Sequence, residues 1–197
     1  MNGSPNPLDE LLRGTDGTVS PGRPAQAVAS LAAAGLTVAT AESLTGGLLA
    51  AALTSVPGSS AVFRGGLVVY ATELKHSLAG VSSRLLADRG AVDPAVAAAL
   101  AEGARIRCGA DIGIGLTGVA GPDAQDGKPP GTWFVALVSA TGASSSRSAT
   151  LPGSAPGTAD RRAVRADAVN AALDLLDEAS REQSRPGTEP AGGTLNG

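Results

Sequence analysis

The sequence has 197 residues, 43% of them hydrophobic and only 2% aromatic, which allows one core of ordinary size built from aliphatic side chains. Its formal net charge of −3 argues against a dedicated nucleic-acid-binding protein, and the single cysteine excludes an internal disulfide and a cysteine-rich zinc site. No apolar stretch is long enough to span a bilayer, and the first residues lack a signal peptide's basic and apolar regions, so we expect a cytoplasmic protein.

Nitrogen bases are scarce in this chain. It has one histidine, His76, and two lysines, Lys75 and Lys128, although Lys and Arg together number 15. Arginine stays protonated under ordinary conditions and does not serve as a base. A nitrogen that accepts a proton must therefore belong to one of these three side chains or to the α-amino group.

The two ends are polar and rich in Gly and Pro, which predicts disordered segments at residues 1–23 and 180–197 around one domain at 24–179. Helices then alternate with strands, and two adjacent strands come near the end, which favours an α/β sandwich with a mixed sheet. The predicted helices are 24–34, 45–55, 82–90, 94–107 and 158–178, and residues 71–79 are expected to pass from a loop into a short helix. The predicted strands are 37–40, 63–70, 110–116, 133–140 and 145–151.

Residues 37–47, TVATAESLTGG, predict a strand that turns through small residues into a helix. Backbone N–H groups at such a helix N-terminus favour an anion. The turn also brings the hydroxyls of Ser43 and Thr45 to the end of a strand, where α/β sheets bind ligands. The alternative interpretation is an ordinary helix cap and a glycine turn.

Several familiar patterns fail on context. Residues 113–118 fit G-x-G-x-x-G, but the Gly-Pro and Pro-Pro steps that follow prevent the required helix. Residues 121–128 resemble a P-loop with one residue too many. A Ser-His-Asp triad would need His76 as its base, and no G-x-S-x-G elbow accompanies it.

Three segments follow predicted strands and can converge on one crevice. They are residues 41–47, 70–75 and 116–122, the last with 128–132 behind it. A serine nucleophile needs a partner to take its proton, and a lysine with a lowered pKa can do so. We therefore hypothesise that Ser43 is a nucleophile with Lys75 and Tyr70 as proton-transfer partners. The alternative is a surface lysine and a half-buried tyrosine.

The segments AESLTGG, GGLVVYATELK, LTGVAGPD and KPPGT occur in this order and resemble the CinA carboxy-terminal domain family, the nicotinamide-nucleotide amidohydrolases, over residues 25–179. The resemblance implies a three-layer α/β/α sandwich with a mixed, mostly parallel central sheet. It also implies hydrolysis of the carboxamide of nicotinamide mononucleotide to nicotinate mononucleotide and ammonia, a step of pyridine nucleotide salvage, without metal or organic cofactor.

The resemblance also implies roles for particular residues. Ser43 matches the family's nucleophile, and Tyr70 and Lys75 match its catalytic tyrosine and lysine. The implied substrate-binding residues are Thr45, Gly46, Gly47, Thr117, Gly118, Gly121 and Arg161, with Arg162 and Arg165 as alternatives to Arg161. The chain departs from the family pattern at Leu44, where Cys is common, and at Thr72, where Asn is common.

Two rival functions stay open at the level of sequence. The first is a non-catalytic nucleotide-binding module with the same pocket, and the second is an interaction protein of competence or DNA-damage responses. The resemblance further implies a stand-alone form of the domain and a homodimer. The expected ligand is a small nucleotide, with neither a membrane nor a nucleic acid as partner.

Overall fold

The computed structural model describes residues 22–150 and 160–184, and most of the two ends predicted to be disordered lies outside these ranges. The helices are α1 (Arg23–Ala34), α2 (Leu48–Thr54), α3 (Thr72–Ser77), α4 (Ser83–Arg89), α5 (Pro94–Cys108) and α6 (Arg161–Gln183), and a short 3₁₀ turn spans Ser59–Ala61. The strands are β1 (Val38–Glu42), β2 (Phe63–Val68), β3 (Ile112–Gly118), β4 (Thr132–Ser139) and β5 (Ser144–Thr150).

The five strands form one sheet in the order β2-β1-β3-β4-β5. Strand β1 pairs in parallel with both β2 and β3, whereas β4 runs antiparallel to β3 and to β5. Four of the five strands therefore point the same way, and the prediction of a mixed, mostly parallel sheet is confirmed.

Side chains alternate between the two faces of the sheet, and each face carries its own core. Ile112, Ile114 and Leu116 of β3 pack into the cluster that includes α1, α2 and α6. On the other face, Ala39 and Ala41 of β1 pack with α5 and the segments around α3 and α4. This arrangement confirms the three-layer α/β/α sandwich.

Two glycines of β3 let α5 lie close against the sheet. A Cβ on Gly113 would fall 1.9 Å from the carbonyl oxygen of Ala101, and one on Gly115 would fall 2.1 Å from that of Ala97. The G-x-G pattern that imitates a dinucleotide fingerprint is therefore a packing device, in which absent side chains bring helix and strand together.

The predicted element boundaries need three corrections. Strand β1 continues through Glu42 instead of ending at Thr40, and α2 begins at Leu48 instead of residue 45. Helix α6 continues to Gln183, beyond residue 178, at which the predicted helix ends. Ser180 explains this last difference, because it is buried and its hydroxyl donates to the carbonyl of Leu176, which hides its polarity inside the helix.

Candidate active site

Ser43 and Lys75 meet in the interior at the carboxyl ends of β1 and β2. Ser43 is the first residue after β1 and is held there because its N–H donates to the carbonyl of Leu116 at 3.0 Å. Lys75 lies on α3 and is only 1% exposed. Its Nζ lies 3.1 Å from Ser43 Oγ, 2.9 Å from the Val69 carbonyl and 3.3 Å from the Tyr70 carbonyl.

Burial makes the ammonium of Lys75 easier to deprotonate than that of a lysine in water. Burial lowers the pKa of its ammonium below the ordinary value of 10.5, and the carboxylates of Asp126 and Glu73 partly oppose that effect. A neutral amine has two N–H bonds and one lone pair. The two carbonyls can only accept, so they take the two N–H bonds and leave the lone pair for the hydroxyl hydrogen of Ser43. This geometry suits a serine that gives up its proton.

A cavity of about 280 Å³ opens beside Ser43. One wall is the continuous stretch of residues 117–125, which comprises the end of β3 and the first part of the connection between β3 and β4. The remaining lining residues are Ser43, Leu44, Tyr70, Ala91, Val92 and Arg161. Of the predicted substrate-binding residues, Thr117, Gly118, Gly121 and Arg161 therefore line the cavity.

Thr45, Gly46 and Gly47 are not among the residues that line this cavity. Thr45 is fully buried, and its carbonyl accepts a hydrogen bond of 2.7 Å from Arg165. Gly46 and Gly47 have positive φ angles of 60° and 92°, which form the turn between β1 and α2. In this structure the three residues shape the turn that carries Ser43.

Glu42 occupies the anion site that the sequence predicts at the start of α2. One carboxylate oxygen accepts the N–H groups of Gly47 at 3.0 Å and Leu49 at 3.1 Å, and the other accepts that of Ala50 at 2.8 Å. The expectation that these N–H groups are free for a ligand is therefore wrong. Sequence reasoning missed this role of Glu42, because the residue ends β1 and precedes the cap and first turn of α2, the positions at which an acidic residue signals a helix N-terminus.

Tyr70 faces a different partner from the one its predicted role requires. Its side chain is 61% exposed, and its hydroxyl lies 3.4 Å from Nη2 of Arg161. Arg161 also donates through Nη1 to the carbonyl of Gly121. Tyr70 thus contacts Lys75 through its backbone carbonyl, while its hydroxyl and Arg161 form one side of the cavity.

Backbone N–H groups are available at the cavity. Within the described ranges, the N–H of Leu44, next to the nucleophile candidate, has no acceptor, and neither do those of Ala120 and Gly121. Such groups can stabilise negative charge in a ligand or an intermediate. Thr117 does not offer its hydroxyl to the cavity in the same way, because it donates to the Ala91 carbonyl at 2.6 Å.

No group of three or more His, Cys, Asp or Glu side chains in residues 22–150 and 160–184 is arranged to hold a metal ion. In the same ranges, none of the helices has both the length and the apolar character needed to cross a membrane.

The fold and the site together define a class of protein. It is an α/β sandwich with a buried serine–lysine pair at the carboxyl ends of its parallel strands. Residues 23–180 match the family model of the CinA C-terminal domain, and the chain belongs to this family. The resemblance noted in the four sequence motifs is thereby confirmed.

Curated relatives carry the same family name or a related one. A CinA-like protein of Frankia casuarinae is 53% identical over 140 residues, which cover 71% of this chain and 31% of that protein. A putative competence-damage inducible protein of Desulforamulus reducens is 45% identical over 142 residues, covering 72% and 33% respectively. The chain spans about a third of the length of these relatives.

Solved structures of the superfamily share the fold. A CinA superfamily protein from Klebsiella pneumoniae aligns with a TM-score of 0.75 at 32% identity, covering 82% of this chain and 98% of that one. A competence/damage-inducible protein from Agrobacterium tumefaciens aligns with a TM-score of 0.73 at 32% identity, covering 92% and 99%.

Proposed function

We propose that this domain hydrolyses the carboxamide of nicotinamide mononucleotide to nicotinate mononucleotide and ammonia, with Ser43 as nucleophile and Lys75 as general base. The observation that carries the proposal is the 3.1 Å contact between Lys75 Nζ and Ser43 Oγ in a buried setting that lowers the pKa of the lysine. Family membership supports the reaction class.

The proton follows a closed path in this mechanism. Ser43 Oγ bonds to the carboxamide carbon while its hydrogen passes to the lone pair of Lys75. The ammonium then gives that proton to the amide nitrogen as the carbon–nitrogen bond breaks and ammonia leaves. A water molecule next gives a proton to Lys75 and attacks the acyl-serine, and Lys75 returns the proton to Ser43 as the carboxylic acid departs. The Val69 and Tyr70 carbonyls hold Lys75 in both protonation states.

The remaining groups that this reaction needs are proposed to come from residues that line the cavity. The Leu44 N–H is next to the nucleophile and is the proposed donor to the oxyanion. Arg161, with the N–H groups of Ala120 and Gly121, is the proposed site for the substrate phosphate, because a guanidinium and free amides both favour phosphate oxygens. This assignment replaces the occupied N-terminus of α2 as the anion site.

The test is ammonia release from nicotinamide mononucleotide by the parent, by Ser43→Ala and by Ser145→Ala. Ser145 lies exposed on β5, which makes it a matched control for the loss of one hydroxyl. We expect Ser43→Ala to lose at least about a thousandfold in kcat and Ser145→Ala to behave as the parent. Full activity in a folded Ser43→Ala protein would overturn the nucleophile assignment. Binding of the nucleotide without ammonia release by the parent would favour the non-catalytic module.

A further inference from the structure

The connection between β3 and β4 carries an acidic residue, Asp126, just beyond its cavity-lining part. Gln125 and Lys128 exchange backbone hydrogen bonds of 3.1 and 2.8 Å, so the residues between them form a tight turn. Asp126 sits in this turn with a φ of 50°, which a residue other than glycine rarely adopts. The turn directs the Asp126 carboxylate onto the N–H of Ala91, at 2.7 Å.

The peptide groups of Ala91 hold this connection at two points. Its N–H is bound by Asp126, and its carbonyl accepts the hydroxyl of Thr117 at the end of β3. The neighbouring Gly90 leaves room for the contact, because a Cβ there would lie 2.9 Å from atoms of the Asp126 side chain. The wall of the cavity is therefore fixed at both ends against one short segment between α4 and α5.

Asp126 lies beside the cavity that Ser43 lines, because it follows Gln125 in the chain and binds Ala91, and both of these residues line the same cavity. Two carboxylates raise the pKa of the Lys75 ammonium against the effect of burial, Asp126 from the β3–β4 connection and Glu73 from α3 itself. The guanidinium of Arg161, which lines the same cavity, binds the Gly121 carbonyl and the Tyr70 hydroxyl. Of these two carboxylates, Asp126 is thus the one that lies outside α3, in the β3–β4 connection.

We propose that Asp126 is a positioning residue that fixes the wall of the cavity through Ala91 and supplies the negative charge that stabilises Lys75 when it has taken the proton of Ser43. The inference rests on the proposed function, because it assigns Lys75 as the base. It predicts that the two effects can be separated, since asparagine keeps an oxygen that accepts the Ala91 N–H but carries no charge, whereas alanine loses both.

The composition of the chain makes the charge effect directly measurable. Lys75 and Lys128 are its two lysines, so selective isotope labelling of lysine in a Lys128→Arg background leaves one ammonium signal to follow by NMR as pH changes. We expect the titration of Lys75 to move to lower pH in both Asp126→Asn and Asp126→Ala. Asp88→Asn, which removes an exposed carboxylate on α4, is the control and leaves the titration unchanged. An Asp126→Asn protein that titrates as the parent would overturn the charge role.

Kinetics with nicotinamide mononucleotide as substrate test whether Asp126 holds the wall of the cavity in place. In Asp126→Asn the rising limb of the pH–rate profile should move to lower pH with KM unchanged. In Asp126→Ala the same shift should come with a KM about fivefold higher, as the loss of one hydrogen bond produces. An unchanged KM in Asp126→Ala would refute the positioning of the wall. A parent without activity would reject the proposed reaction, while the NMR titration would still decide the charge role of Asp126.

Discussion

A substitution of Glu42 tests most directly whether the carboxylate of this residue stabilises the turn that carries Ser43. It is 1% exposed, and its two oxygens accept three backbone N–H groups at the start of α2. Glu42→Gln keeps the size of the side chain but replaces one accepting oxygen by a donating NH₂ group. If the remaining oxygen accepts the N–H groups of Gly47 and Leu49, the new NH₂ group faces the N–H of Ala50. Both groups are hydrogen-bond donors, so the N–H of Ala50 loses its acceptor.

The magnitude follows from this count. An N–H left unpaired at Ala50 costs about 1–3 kcal/mol. The two bonds that persist fall from charge-assisted to neutral strength, which costs about 1 kcal/mol each. We therefore expect Glu42→Gln to lower the free energy of unfolding by about 3–5 kcal/mol, a large fraction of the 5–15 kcal/mol typical of a domain.

Urea unfolding followed by tryptophan fluorescence measures this change. The chain has one tryptophan, Trp133, which is buried and donates to Asp167 at 2.9 Å, so it reports on the core. The control is Glu178→Gln, which breaks a surface ion pair with Arg147 and should cost less than about 1 kcal/mol. Equal effects of the two substitutions would refute the reasoning, because the carboxylate of Glu42 would then contribute no more than a surface charge.

Two further outcomes follow from buried groups described above. The free energy of unfolding of Lys75→Met, relative to that of the parent, should fall as pH rises towards 10.5. The reason is that the parent gains stability over this range, because between the lowered pKa of folded Lys75 and 10.5 the unfolded parent binds more protons than the folded one. Urea titrations at several pH values check this, and a pH-independent difference would contradict it. Gly115→Ala should lower the free energy of unfolding by about 1–3 kcal/mol, because its Cβ meets the Ala97 carbonyl at 2.1 Å. Gly22→Ala, with nothing within 4 Å, is the matched control, and equal stability of the two variants would argue against close packing of α5 on β3.

The meeting of Ser43 and Lys75 could be predicted from the sequence. Both residues follow strands of the predicted sheet, and the carboxyl ends of parallel strands lie at one edge. Composition also limited the candidates for the base that takes the serine proton, because the chain has so few nitrogen bases. Local patterns therefore predicted an α/β sandwich with a mixed sheet and made a contact between these two side chains one of two interpretations. The three layers and the choice of this contact came from the family resemblance, and the catalytic roles stay predictions.

The positions of Glu42 and of the Tyr70 hydroxyl could not be predicted in the same way. Glu42 ends a strand in the sequence, and only the turn through two glycines with positive φ brings the start of α2 back to its carboxylate. The Tyr70 hydroxyl is directed by Arg161, 91 residues further along the chain. Contacts of this kind depend on how helices pack across the sheet, which periodicity within one element does not contain.

The reversed direction of β4 has a consequence for how the domain can vary. Because β4 runs back beside β3, the connection between them is a hairpin loop that remains at the edge of the sheet where Ser43 lies. Lengthening such a loop costs little, about 0.6 kcal/mol for each doubling. The strands that hold Ser43 and the helix that holds Lys75 are not part of that loop. The loop that bounds the pocket and the serine–lysine pair are thus encoded in separate stretches of the chain, so the length of the loop can change in evolution or by design while the contact between Ser43 and Lys75 is kept.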